Sequence, residues 1–502
     1  MGFDLRIFED EGLDAGFLDW LTKERAGEVQ RHFGKMWDYY ANPMVETRGS
    51  GAGGKAAEAG RCYVQAQESG LPARITGILR NPSAGVFGGR AVNQIQRKEV
   101  VIENDIAWRI NAAVDFLFGK PVSFVSKSPD AESRKKIETI IKSVFEANGG
   151  VGFFQDMAVL GGVYGLVDCF VRPGEEIYQD FTSQHNSEFP LEAVLHKAQA
   201  IELELIEAPR ALPILDENNY KRILYYVQHF YLKRNAVKGR NTFLTRLLGI
   251  EGAEGIKRSA VTEIVSEKAW QRYEDGEIAG EGENFWGFVP VVHIQNLAQP
   301  FYYEGISDVE PLIPLQDELN TRLSDRANRI TFQAFKMYLG KGIEGFEDKP
   351  VSPGRMWCTD NPDATIEEFG GDEGSASEDR HIDQIREAMD KTSSVTPIVA
   401  GVIGGKIGNL TSAVALKLML MGMLSKTDRK RFTYGEGLKK ICSMVLEILD
   451  RAGIYKTSPA ERTMDVIFPS ALPENMMEKL QEAQIKKELG VPGEQILREL
   501  GY

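Results

Sequence analysis

The stretch from 287 to 340 constrains this chain more than any other. GFVPVVHIQN is an apolar strand pattern. It runs through a short loop into one long amphipathic helix. Ser307 or Asp308 can cap that helix, and Asp308 and Glu310 favour its positive end. Pro311 sits in the tolerated first turn, while Pro314 delays the regular helix by a turn. Leu312, Leu315, Leu319, Leu323, Ala327, Ile330, Ala334 and Tyr338 then keep a helical spacing. About 30 residues at about 1.5 Å each predict a rod of roughly 45 Å, longer than an ordinary globular helix. A second helix is predicted over 377–394, with Ile382, Ile385, Ala388 and Met389 as its apolar stripe and Pro397 beyond its end. The segment between them, 341–374, is turn-rich and β-like. After the pair come a loop with four glycines, 398–410, and another long helix, 411–453, with Gly422 as a candidate kink.

The remaining segments read as α+β. Helical spacing links Leu13, Phe17 and Leu21, then Val29, Phe33 and Trp37, and the Gly/Ala/Ser tract at 47–60 reads as a linker. Ile106, Ile110, Ala113, Val114, Leu117 and Phe118 form one helical face that stops at Gly119 and Pro121, followed by a strand over 122–125. Residues 128–150 predict a helix, and 157–172 a helix end leading into a strand. From 198 to 294 alternation predicts an antiparallel sheet. Here 208–219 supplies turns and 233–262 is a surface excursion. A strand at 464–469 and a helical tail close the pattern.

At 502 residues the chain exceeds one simple core, and 26% charged with 42% hydrophobic residues is ordinary for a globular protein. The apolar runs fall short of a membrane span. The acidic N-terminus lacks a secretion pattern, so a reducing cytoplasm, or a particle assembled there, is expected. Cys62, Cys169, Cys358 and Cys442 are scattered without a CxxC pair or histidine cluster, which argues against a disulfide framework or a metal site. A net charge of −14 argues against broad, tight gripping of nucleic acid, while leaving room for a surface past which DNA slides.

Two segments approach a phosphate-binding loop, Gly49–Lys55 and Ala400–Lys406, yet neither is followed by the Ser or Thr that would hold magnesium. No strand-ending acidic residue in a parallel βαβ sheet accompanies them, so a nucleotide-binding enzyme is the disfavoured alternative and no cofactor is expected. His293 in VVHIQN reads as a satisfied core or edge residue rather than a base. Arg322, Asp325, Arg326 and Arg329 lie at i, i+3, i+4 and i+7. They form either a solvated face with weak ion pairs or a seam between neighbouring subunits.

Three segments carry a family resemblance. Gly287, Pro290, Asn296, Gly305, Ser307, Asp308, Glu310, Asn320, Ser324 and Asp325 match the "G-x-x-P … N … G-x-S-D-x-E … N-x-x-x-S-D" run of tailed-bacteriophage portal proteins. LTSAVALKLMLMGM is similar to that family's "S-G-x-A-L" helix start, with Ala413 where Gly is common, and ENDIAWRINAAVDFLFGKPVSF resembles its early wing helix. The resemblance implies a portal fold: a mixed α/β wing, long paired stem helices, a small α/β clip and a helical crown. It implies an N-terminal extension and outer wing over 1–97, wing over 98–306, stem helices over 307–338 and 377–396, and clip over 339–376. A tunnel loop over 397–410, a long kinked helix and wing strand over 411–470, and a short crown over 471–502 complete the scheme. It further implies no catalysis and a ring of about twelve copies at one capsid vertex, an arrangement of closed symmetry. Double-stranded DNA would pass through that ring without sequence preference. The partners implied are the terminase large subunit, a head-completion adaptor, and the major capsid and scaffold proteins, with no membrane. Gly401, Gly404, Gly405, Lys406, Gly408 and Asn409 would surround the DNA, Lys406 being the one residue able to touch phosphate. A third class, a different capsid component such as an adaptor, is disfavoured by the helix pair flanking a β insertion.

Overall fold

The computed structural model describes residues 3–46, 63–76, 99–178, 189–235, 256–334, 337–341, 362–369, 376–400, 417–472, 476–491, 493 and 496. Its helices are α1 (Ala15–Trp20), α2 (Ala26–Ala41), α3 (Ala73–Thr76), α4 (Asp105–Phe118), α5 (Ala131–Ala147), α6 (Val151–Tyr164), α7 (Leu191–Ala198), α8 (Ile313–Ala334), α9 (Ala376–Ser393), α10 (Met421–Arg451) and α11 (Met476–Glu488). The strands are β1 (Met44–Glu46), β2 (Tyr63–Gln65), β3 (Ser123–Ser126), β4 (Leu166–Arg172), β5 (Glu202–Ile206), β6 (Ala211–Asp216) and β7 (Asn219–Asn235). They continue with β8 (Ile256–Val265), β9 (Ala269–Glu274), β10 (Glu277–Glu283), β11 (Val291–Gln295), β12 (Met337–Lys341), β13 (Thr365–Phe369) and β14 (Met464–Ile467). All strand pairings among them are antiparallel. The chain divides into two units: Met1–Trp37, Trp108–Glu310 and Ser394–Tyr502 form one, Asp38–Ala107 and Pro311–Ser393 the other.

The first unit is built on a five-stranded sheet, order β10-β9-β8-β7-β6, and a three-stranded sheet, order β11-β4-β5. Phe8, Leu18 and Leu21 from the N-terminal helical segment pack on the larger sheet through Leu212, Tyr225, Val227 and Ile264. Phe170, Ile206, Tyr226, Val265 and Val291 form a further core cluster. β4 is buried along nearly its whole length, as a central strand covered on both faces must be. Helix α5 starts at Asp130, whose carboxylate accepts the Ser133 N–H at 2.7 Å. It lies on β3, where Phe145 stacks on Phe124 with ring centroids 4.7 Å apart. Strand β14 returns from far along the chain to pair with β3, as Met464↔Ser126 through Ile467↔Ser123. Helix α10 rests on β11. At Gly437 an added Cβ would sit 2.4 Å from Ile294 Cγ1, so only glycine lets the helix approach that strand.

In the second unit α8 and α9 run antiparallel side by side, and β12 and β13, which follow and precede them, pair from Met337↔Phe369 to Lys341↔Thr365. Leu319 and Leu323 on α8, and Ile382, Ile385 and Met389 on α9, are buried, each such side chain contributing about 2 kcal/mol through lost water contact.

Several expectations are corrected. The first long helix ends at Ala334, and Tyr338 belongs to β12, because pairing with β13 outweighs a helical spacing that a strand can share. At 22 residues, α8 spans about 33 Å rather than roughly 45 Å. Ile330 is 56% exposed instead of inward. Pro314 does delay the helix: Glu310–Leu312 is a 3-10 turn and the α-helix begins at Ile313. Residues 211–216, read as turn, are strand β6. Pro213 is tolerated there because β6 is at the sheet edge. Strands β7 and β8 also extend into the expected excursion, reaching Asn235 and starting again at Ile256. The long C-terminal helix is interrupted at Leu420, two residues before Gly422.

Candidate functional site

The junction between β11 and the 3-10 turn at Glu310–Leu312 is a buried knot within the first unit. Gly165 (φ +86°) lets the chain turn from α6 into β4, and its carbonyl accepts the Asn296 N–H at 2.9 Å. A Cβ at Gly165 would stand 2.4 Å from Gly305 O, and one at Gly305 2.5 Å from Gly165 O, so both glycines are sterically required. Ser307 Oγ donates to Val163 O at 2.6 Å and accepts from the N–H groups of Val309 and Glu310, capping the 3-10 turn as expected. Asp308 does something else. Its N–H bonds Gly162 O, and its fully buried carboxylate meets the ammonium groups of Lys430 and, at 2.8 Å, Lys426, both on α10. Asn296 Nδ2 donates to the same carboxylate at 3.0 Å, and Tyr434 O–H donates to Asn296 Oδ1 at 3.1 Å. Burial alone would raise the Asp308 carboxyl; the two lysines outweigh it and hold it down to about 2. Burial pushes the Lys430 ammonium down, opposed by the attraction of Asp308. Asn296, Gly305, Ser307 and Asp308, all singled out by the sequence motif, therefore meet in one place.

Beside the knot, the central-strand Asp168 is fully buried and opposite His293 in the strand register. Its carboxylate takes hydrogen bonds from His293 Nδ1 (2.6 Å), Tyr226 O–H (2.8 Å) and Tyr303 O–H (3.0 Å). Tyr303 stacks on the imidazole, whose Nε2 bonds Tyr303 O at 2.7 Å. Burial first, then the adjacent carboxylate, pushes both tyrosine hydroxyls well above 10, so they stay protonated donors. His293 is thus a satisfied interior residue.

The second unit holds a polar ladder. Asn320, Ser324 and Asn328 occur every fourth residue along α8, and each faces an alternate residue of 99–103. Glu99 N–H donates to Asn328 Oδ1 (3.1 Å), Val101 N–H to Ser324 Oγ (3.0 Å) and Glu103 N–H to Asn320 Oδ1 (3.0 Å). Asn328 Nδ2 and Gln316 Nε2 return bonds to Glu99 O and Glu103 O. Four helical residues advance about 6.0 Å and two extended residues about 6.6 Å, so helix side chains can stand in for a neighbouring strand. Asn320 also donates to Gln67 Oε1, tying in the segment that follows β2.

The predicted charged series lies on α8 and is paired inside the chain. Arg322 bonds Glu318 (2.7 Å) and reaches Asp325 (3.4 Å); Asp325 also takes Arg74; Arg326 meets Asp379 at 3.2 Å, and Arg329 meets Glu378. The Arg322 hydrogen bond lowers the Glu318 carboxyl. Gly401, Gly404, Gly405, Lys406, Gly408 and Asn409 lie outside the described residues, as does most of both near-phosphate loops. Among the described residues no group of acidic, histidine or cysteine side chains could hold a metal ion, and no helix is long and apolar enough to cross a membrane.

Residues 107–501 match the family model of phage portal proteins of the SPP1 Gp6-like kind. The chain belongs to that family. No curated protein sequence matches it. Among solved structures, the chain is similar to a chain of the virion of a native gene transfer agent particle, at 10% identity and TM-score 0.39, covering 77% of this chain and 86% of that one. A second is from the neck of an empty gene transfer agent particle, at 11% identity and TM-score 0.41, covering 79% and 89%. Within this portal-family chain, the reading of the sequence missed Lys426 and Lys430. Their i, i+4 spacing in a polar run looks like a solvated face, and their partner is more than a hundred residues away. The ladder left a visible signal, Gln316, Asn320, Ser324 and Asn328 at strict four-residue steps.

Proposed function

We propose that copies of this chain form a ring-shaped portal at one vertex of a virus capsid, a DNA channel through which the genome is packaged, retained and ejected. Membership of the portal family over 107–501 carries this reading, and the antiparallel α8–α9 pair with the β12–β13 hairpin between them fits it. On this reading 1–97 and 98–306 form the wing, 307–338 and 377–396 the stem, 339–376 the clip, 397–410 the tunnel loop, and 411–470 the long helix and wing strand. Residues 471–502 form the crown. The clip docks the terminase large subunit during packaging and a head-completion adaptor afterwards, while the wing meets the major capsid and scaffold proteins.

The role is mechanical rather than catalytic. A chain of net charge −14 repels a duplex and leaves it free to move, with Lys406 in the tunnel loop supplying the sparse cationic contact. Arg322, Asp325, Arg326 and Arg329 lie along the stem, where a second copy can exchange partners with their internal pairs. The subunit assembles in the host cytoplasm and ends in the virion, as a capsid-vertex component of the portal family would. Negative-stain images of purified protein are expected to show rings with a central hole. A purely monomeric species at high concentration overturns the proposal. Lys406→Ala is expected to spare ring formation and impair packaging or retention of DNA.

A further inference from the structure

Strand β11 is the edge of its sheet. Val171 N–H bonds Pro290 O, and Asn296 N–H bonds Gly165 O. Alternate residues from Pro290 to Asn296 therefore turn their backbone groups toward β4, and Val291, His293 and Gln295 turn theirs away. Val291 N–H folds back to Val289 O at 2.8 Å. Along the open side runs a groove of about 740 Å³, lined by all five residues of β11, by α10 from Phe432 to Arg451, and by Tyr220–Ile223 at the start of β7. An edge strand facing a helix wall is the geometry that takes up an extended segment as an added strand. The α10 wall from Phe432 to Arg451 is about 29 Å long, room for a strand of about eight residues.

The groove carries Lys221 and Lys440, neither of which has a carboxylate partner among the described residues. The same unit has another edge strand, β10, reading EIAGEGE. Glu277 and Glu283 there are exposed and likewise have no cationic partner among the described residues, and Ile278 is 41% exposed. An acidic edge repels copies of itself and accepts a basic slot, which gives the pairing a direction. In this chain β10 is not among the residues lining the groove, so the pairing needs a second molecule.

We propose that β10 of one copy adds to β11 of the next, its glutamates meeting Lys221 and Lys440 and Ile278 entering the groove. The contact is head-to-tail, and repeating it closes a ring when the rotation per copy permits. This inference rests on the ring reading above and names the surface by which neighbours join.

The test uses rings assembled from mixed 15N-labelled and unlabelled full-length chains, treated with a carbodiimide that joins touching carboxylates and amines. Mass spectrometry is expected to find mixed-isotope isopeptides linking the peptide holding Glu277 and Glu283 to those holding Lys221 or Lys440. Rings that lack these links overturn the β10–β11 contact and leave the ring reading standing, whereas protein that forms no rings overturns the ring reading itself. Charge reversal supplies a second arm. Glu277→Lys with Glu283→Lys is expected to cut the ring fraction about tenfold, and adding Lys221→Glu with Lys440→Glu to restore it. Unchanged assembly of the first variant, or no rescue by the second, counts against the proposal.

Discussion

The two units each bury a polar assembly, and they do so by opposite means. In the first, one buried carboxylate faces a buried ammonium and a second, partly exposed one, and the cost of removing charge from solvent is large and indivisible. In the second, neutral amides and a hydroxyl share out the backbone groups of 99–103, each bond being worth about 1 kcal/mol and separable from the next. The comparison teaches that a charged knot fixes a junction all or nothing, while a ladder can lose a rung and hold.

The severest test removes the carboxylate. Asp308→Ala leaves Lys430 buried without its counter-charge and is expected to cost about 3–5 kcal/mol, read by denaturant unfolding. A cost below about 1 kcal/mol would erase the distinction between the two assemblies. Next, Gly165→Ala forces a side chain into a left-handed backbone against Gly305 O, with an expected loss of about 2–3 kcal/mol. Removing one ladder rung, Asn320→Ala, is expected to cost about 1–3 kcal/mol, with faster amide exchange concentrated at 99–103. Acid titration sharpens the contrast. The Asp308 carboxyl is lowered to about 2 from an ordinary 3.8, so its contribution is complete above about pH 4 and is lost as pH falls through about 2. It amounts to about 2 kcal/mol over that window, and Asp308→Asn should flatten the corresponding part of the acid-stability curve. Smallest of all, Arg326→Ala breaks an exposed pair with Asp379 and should change stability by about 0.5 kcal/mol or less.

Much of the fold could be read from the chain because local signals agreed with long-range packing. Helix α5 has its Asp130 cap and glycine stop, α9 its narrow stripe, and β3 and β14 their short apolar runs. Where the reading failed, pairing partners distant in sequence decided the outcome. Residues 337 and 338 look helical until β13 is placed beside them, and 211–216 look like a turn until β7 is. The knot shows the same division. The motif marked Asn296, Gly305, Ser307 and Asp308, but nothing local says that Lys430 is buried or that Lys426 turns inward to the same carboxylate.

The unequal steps of helix and strand have one more consequence. Each rung of the ladder slips by about 0.6 Å, the difference between four helical and two extended residues. Across the two steps between three rungs the mismatch reaches about 1.2 Å, and one further step would bring it near 2 Å, beyond what one hydrogen bond tolerates. Asn320, Ser324 and Asn328 thus act as a vernier scale. It reads only a few graduations before falling out of coincidence, which limits how long a strap the helix can hold and fixes where along it the strap must sit.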